Sequence, residues 1–157
     1  MADFLILEEN NQPVAAAAGY TPYSEDYRIL SLSRLDAIAQ ILGWSKQTTI
    51  EFQNRYKQLF GDDSQPAFLK PQAPWIIEIV AVVPEARGRG LGKILVGAQL
   101  EEGRSRQYSH AGIMIINGND TARHTYESVG FKPYQTFYAD YFNDEFSGLT
   151  KFRIRLN

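Results

Sequence analysis

One stretch, WIIEIVAVVPEARGRGLGKILVGAQ from Trp75 to Gln99, limits what this chain can fold into more than any other. Trp75 to Val83 is a near-continuous apolar run rich in β-branched residues, the pattern of a strand buried on both faces. Pro84 ends it by withholding a ladder donor. Beyond the turn, Leu91, Ile94, Leu95 and Ala98 recur at helical spacing and predict a helix with one apolar stripe. Between strand and helix lies Arg87-Gly88-Arg89-Gly90-Leu91-Gly92-Lys93. Glycines there let the backbone approach a ligand closely, and the N–H groups at a helix start attract anions. The expectation is a phosphate-binding turn at the end of a central strand.

Spacing narrows the kind of phosphate ligand. A P-loop needs Gly, four residues, then Gly-Lys-Ser/Thr; here Ile94 follows Gly92-Lys93, and Arg87 stands where the first glycine belongs. The dinucleotide fingerprint places its third glycine where this chain has Lys93. The pattern that fits is Arg-x-x-Gly-x-Gly, through Arg87, Gly90 and Gly92. It resembles the pyrophosphate-binding signature of the GNAT acetyltransferase superfamily, whose members move an acyl group from acyl-CoA to an amine. The likeness continues in order through Ile113-Met114-Ile115-Ile116, Asn119, Ala122, Tyr126 and Gly130-Phe131. Trp75–Phe131 would thus be an acetyl-CoA-binding core within a single acetyltransferase domain over residues 1–157.

The rest of the chain fits an α/β reading. Phe4 to Leu7 and Val14 to Tyr20, separated by acidic residues, Asn and Pro, read as a β-hairpin. In the GNAT pattern this hairpin resembles the second and third strands. The family usually opens with an earlier strand and one or two helices. Their apparent absence implies a shortened N-terminus, or an edge covered by another segment or subunit. An uncovered edge invites pairing, so a homodimer is one expectation. Leu35, Ile38, Ala39 and Leu42 predict a helix ending at Gly43. A second helix should begin near Ser45 to Thr48, carry Ile50, Phe52, Tyr56, Leu59 and Phe60, and end at Gly61. Gly61 to Pro74, with Asp62, Asp63 and three prolines, reads as loop. Residues 24–74 thus form a helical insertion between the third and fourth strands: a lid, a substitute for the missing N-terminal helices, or plain packing. Tyr134–Phe142 and Leu149–Leu156 read as two further strands, the second with Lys151, Arg153 and Arg155 on a wet face. The order ββ-αα-β-α-β-α-ββ makes a mixed sheet with helices on its faces.

Composition excludes several classes. A net charge of −2 argues against a nucleic-acid surface. With no cysteine there is neither a disulfide, a Cys-ligated zinc site nor a cysteine acyl intermediate, so acyl transfer should be direct. No basic-then-apolar leader and no run long enough to span a bilayer is visible, and a cytoplasmic enzyme is the expectation. His110 and His124 read as surface histidines, and no spacing suggests a metal.

Amine acylation needs a base to take the amine proton, and a carboxylate within an apolar strand should have a job or a partner. Glu78 is that carboxylate, and Ile77-Glu78-Ile79-Val80 resembles the arrangement in which several GNAT members hold a general base. An ion pair or a cross-strand hydrogen bond is the alternative. Tyr126 resembles the family's general acid, which protonates the departing thiolate; it could also be a core tyrosine. The resemblance gives Val80, Ala81 and Val82 the oxyanion and pantetheine contacts. Asn119 would meet the carrier or cap the next helix. Gly88, Gly90, Leu91 and Gly92 supply backbone N–H groups, and Arg87, Arg89 and Lys93 supply charge for the phosphates. The acceptor stays open among polyamines, amino sugars, amino acids and peptide termini. Two rival classes stand beside the enzyme: a non-catalytic CoA-binding module and a protein-interaction domain.

Overall fold

The computed structural model describes residues 3–22, 34–60 and 66–157, with the side chains of Leu59 and Phe60 outside that description. The expected loop at Gly61, Asp62 and Asp63 also lies outside it. The chain divides into two compact units, residues 1–22 with 71–157 and residues 23–70.

Six strands form the sheet of the larger unit: β1 (Asp3–Glu9), β2 (Gln12–Tyr20), β3 (Trp75–Val82), β4 (His110–Ile116), β5 (Lys132–Phe137) and β6 (Leu149–Arg155). Their order is β1-β2-β3-β4-β6-β5. Only β3 and β4 run parallel; every other neighbouring pair is antiparallel. The hairpin joining β1 and β2 turns at Asn10 and Asn11, both at positive φ, a conformation asparagine tolerates. Helix α3 (Leu91–Ser105) follows β3, and α4 (Asp120–Ser128) follows β4. The element order is the one read from the sequence. The smaller unit holds α1 (Leu35–Ile41) and α2 (Lys46–Phe60). Helix α1 stops at Gly43 as expected, at φ +67°, and buries Leu35 and Ala39 while Leu42 faces outward.

The core is built on Trp75. Its indole is fully buried and donates Nε1–H to the Gln99 carbonyl at 2.9 Å. Gly19 on β2 and Gly103 on α3 make room for it, since a Cβ at either would collide with the ring. Gln99, also buried, donates its amide to the carbonyls of Asp3 and Ala17 and so ties α3 to the first two strands. Ile77, Val96, Leu100, Ile113, Tyr126 and Phe152 complete this core.

Four expectations are corrected. First, β3 is buried on both faces only through Ile77; Ile79 is 61% exposed and holds φ +56°. Two β3 residues, Ile79 and Val80, lie opposite the single β2 residue Ala17, a bulge that breaks the alternation. Second, the buried seam of α3 is Leu95, Val96, Gln99, Leu100 and Gly103, with Ile94 and Ala98 turned outward. Third, the strand expected over Tyr134–Phe142 spans Lys132–Phe137, and a short 3-10 turn follows over Ala139–Phe142. There Asp140 Oδ1 accepts the Tyr141 N–H, and Asn143 and Asp144 adopt left-handed φ, which ends any extended run. Fourth, Lys151 does not lie on a wet face but is 2% exposed. Strand β6 sits between β4 and β5, and the Lys151 ammonium lies 5.3 Å from the Phe137 ring centre.

Candidate active site

The two halves of β3 have different neighbours. Trp75 and Ile76 pair with Ala111 and Gly112 of β4, and the parallel register stops there. Beyond it the strands part, and among the described residues β3 keeps only its β2 partner. The Val83 N–H bonds back to Val14 of β2 at 3.0 Å. Alternation therefore turns the N–H and C=O of Val82 to the opposite edge, into the gap that β4 leaves. The Val82 carbonyl accepts Arg87 Nε there at 3.3 Å.

A cavity of about 720 Å³ opens at this gap. Its floor is Val80, Ala81 and Val82. One wall is the turn and first residues of α3: Arg87, Gly88, Gly90, Leu91, Gly92 and Lys93. Gly88 and Gly90 hold φ +75° and +77°, where a side chain would be strained, and a Cβ on either would meet only open space. Gly90 caps α3, whose first intrahelical bond runs from the Ile94 N–H to the Gly90 carbonyl at 3.2 Å. The N–H groups of Leu91, Gly92 and Lys93 precede that bond and have no partner within the helix. With the dipole behind them, they make this wall a donor surface for an anion.

Helix α4 forms the other wall. Asn119 lines it and caps the helix, its Oδ1 accepting the Ala122 N–H at 3.1 Å. Tyr126 lines the cavity while packing on the core edge-on to Phe131. Burial pushes its phenol above the usual tyrosine value, which already leaves a tyrosine protonated at neutral pH. Sequence reasoning missed Thr121, Thr125, Ser128 and His124, which also line this wall. The available signal was their mutual spacing, His124, Thr125 and Ser128 at i+3, i+4 and i+7 from Thr121, a polar stripe beside the Ala122–Tyr126 core stripe. Thr125 donates its hydroxyl to the Thr121 carbonyl at 2.9 Å, and Ser128 donates to Thr125 at 2.7 Å. A carbonyl only accepts, so His124 Nδ1, 2.8 Å from the Asp120 carbonyl, carries the hydrogen. The α4 wall thus turns these hydrogens to its own backbone and offers acceptors, opposite the donors of α3.

Two site residues named from the sequence stand outside the cavity lining. Arg89 turns to β1, where it is ion-paired with Glu9 and that hydrogen bond holds the Glu9 carboxyl below its usual value. Glu78, half-buried, accepts the Tyr20 hydroxyl at 3.1 Å. It precedes the bulge, on the sheet face away from α3, with its backbone opposite Ala18. Among the described residues no group of three His, Cys, Asp or Glu side chains is placed to hold a metal ion.

Comparison with known proteins bears on this arrangement. The family model described as acetyltransferase (GNAT) family matches residues 49–131, over half of the chain. A mycothiol acetyltransferase from Rhodococcus jostii (strain RHA1) is 37% identical over 60 residues, 38% of this chain and 20% of that protein. The chain thus spans about a fifth of the length of the curated relatives it matches. A Desulfovibrio desulfuricans crystal structure assigned to the GNAT family superposes with a TM-score of 0.60 at 12% identity, covering 99% of this chain and 70% of that one. A Salmonella typhimurium structure, described as an acetyltransferase with its cofactor acetyl-CoA, gives 0.60 at 16% identity over 98% and 64%. At such identities these structures speak for the fold.

Proposed function

The chain belongs to the GNAT family of acetyltransferases, and from that premise we propose that it transfers an acetyl group directly from acetyl-CoA to a primary amine. The observation that carries this reading is the cavity between the glycine turn of α3 and Tyr126 on α4, floored by the strand end that β4 has left. Its volume lies in the range of small-molecule sites. A row of N–H donors over open space suits the diphosphate of CoA, and Arg87 and Lys93 add charge at the rim. The N–H groups of β3 that face the gap suit the amide-rich pantetheine arm, and Asn119 and the α4 hydroxyls line its other side.

When bound, acetyl-CoA supplies a thioester carbonyl as the electrophile. Glu78 takes a proton from the attacking amine as the C–N bond forms. The Val82 N–H, at the edge of the gap, donates to the carbonyl oxygen as it gains charge. Tyr126, whose phenol is protonated at neutral pH, gives its proton to the sulfur as the C–S bond breaks. The products are an N-acetyl amide and free CoA thiol, and the two side chains then exchange protons with water.

Residence in the cytoplasm is part of the same proposal, since no helix among the described residues is long and apolar enough to cross a membrane. So is pairing of two copies along the outer edge of β1, which has no strand partner among the described residues. The test is release of free thiol from acetyl-CoA across a panel of amines. Amine-dependent release supports the reading. Tight CoA binding with no release above hydrolysis for any amine would move it to a non-catalytic CoA-binding module.

A further inference from the structure

We infer that Glu9 is a positioning residue for the cosubstrate: it holds Arg89, and through Arg89 the glycine turn that opens α3. Arg89 then serves CoA by fixing the turn, not by touching a phosphate. This role rests on the acetyltransferase reading, because it needs the turn to be a diphosphate site. Arg87 and Arg89 flank Gly88 and differ little as sequence. Arg87 lines the cavity, and Arg89 does not. The two terminal nitrogens of Arg89 donate to the two carboxylate oxygens of Glu9, one of these bonds at 3.0 Å. A fork of this kind fixes orientation as well as distance. The same hydrogen bonding holds the Glu9 carboxyl below its usual value, so the pair is fully charged at neutral pH.

The two ends of the pair differ in how firmly they are held. Leu5 and Leu7 of β1 pack against a cluster that includes Leu95 and Leu91 of α3. Strand alternation puts Glu9 on the same face, so the row ends in a carboxylate beside the turn that opens the helix. Glu9 stands opposite Gln12 of β2, and β2 is paired in turn with β3, where Ala15 lies opposite Val82. Arg89 sits between Gly88 and Gly90, both in left-handed backbone, where an added Cβ would meet only open space. Neither neighbour has a side chain to lodge the turn, and glycine has the most backbone freedom to lose. The fork to a paired strand restricts that freedom just ahead of the N–H groups of Leu91, Gly92 and Lys93. Order present before a ligand arrives lowers the cost of binding it. The pair also cancels its own charges near the anion site, leaving Arg87 and Lys93 as the arginine and lysine that line the cavity.

Removing the Glu9 charge separates two roles for Arg89 by sign. With Arg89 as a tether, Glu9→Gln loosens the turn and weakens CoA binding. With Arg89 as a phosphate ligand held back, the same change removes an anion and frees a cation, and CoA binds more tightly. The experiment is calorimetric titration of CoA into the full chain, Glu9→Gln, Arg89→Gln and the double variant, with a melting curve for each. Each single variant should raise Kd about two- to fivefold, the scale of an exposed ion pair. The double variant should bind no more weakly than the singles, because both remove the same tether. Melting temperatures should stay together, and in turnover KM for acetyl-CoA should rise while kcat holds. Equal or tighter CoA binding by Glu9→Gln would overturn the inference. So would additive losses in the double variant, or a fall in melting temperature that accounts for the lost affinity. An unaltered chain that binds no CoA loses the proposed function as well. One that binds CoA, with Glu9→Gln binding it as well or better, loses the tether alone.

Discussion

Trp75 to Ile77 and Glu78 to Val82 are two halves of one strand, alike in composition and opposite in circumstance. The first half is flanked by β2 and β4, and its side chains are buried. The second half has lost β4, carries a bulge, and borders both a cavity and an open sheet face. Apolar, β-branched sequence suffices to make a strand, but which of its edges is paired decides whether it serves as core or as binding surface. Backbone groups that form a stabilising ladder at Ile76 face an open gap at Val82.

Substitutions in the two halves should therefore differ in kind. The largest effect belongs to the closed half: Trp75→Ala empties a fully buried site and removes the bond to Gln99, and urea unfolding should show a loss of about 3–5 kcal/mol. Equal stability of the variant would mean the closed half is not the core. On the open side, Tyr126→Phe should lower kcat about 10- to 100-fold at saturating acetyl-CoA with little change in CoA affinity. Unchanged turnover would remove Tyr126 from proton transfer. Ile79→Gly relieves left-handed strain of roughly 1–3 kcal/mol against a glycine entropy cost of about 0.5–1 kcal/mol. The chain should become more stable by about 1 kcal/mol. A lower melting temperature would show that the bulge carries no strain. The smallest effect is alkaline. Burial raises the folded Tyr126 value above that of the unfolded chain, so this contribution to stability is intact below about pH 10 and is lost as pH rises further. Tyr126→Phe should lessen the fall in melting temperature above that pH, and an identical fall in both would count against a buried phenol.

The same contrast explains what could be read from the sequence. The strand, glycine turn and helix, the hairpin, the order of elements and the positions of Gly90, Asn119 and Tyr126 were legible, because periodicity, turn residues and caps are local. The bulge at Ile79 was not, since it exists only in the register between β3 and β2. Lys151 looked wet because its alternation with Phe152 and Ile154 is that of a half-exposed strand; its burial follows from β6 lying between two neighbours. Arg89 looked like its neighbour Arg87, and only the arrival of Glu9 from β1 separates them. The polar stripe of α4 was visible as spacing, but the gap it faces is set by where β3 and β4 part.

A calorimetric titration of CoA into the unaltered chain and into Gly90→Val tests the central claim most directly, that the open end of β3 and the turn after it grip the diphosphate of an acyl carrier. One CoA per chain should bind to the unaltered protein. The variant should lose that binding, with a fold whose melting still reports an intact Trp75 core. No CoA binding by the unaltered chain, or equal binding by both, would contradict it.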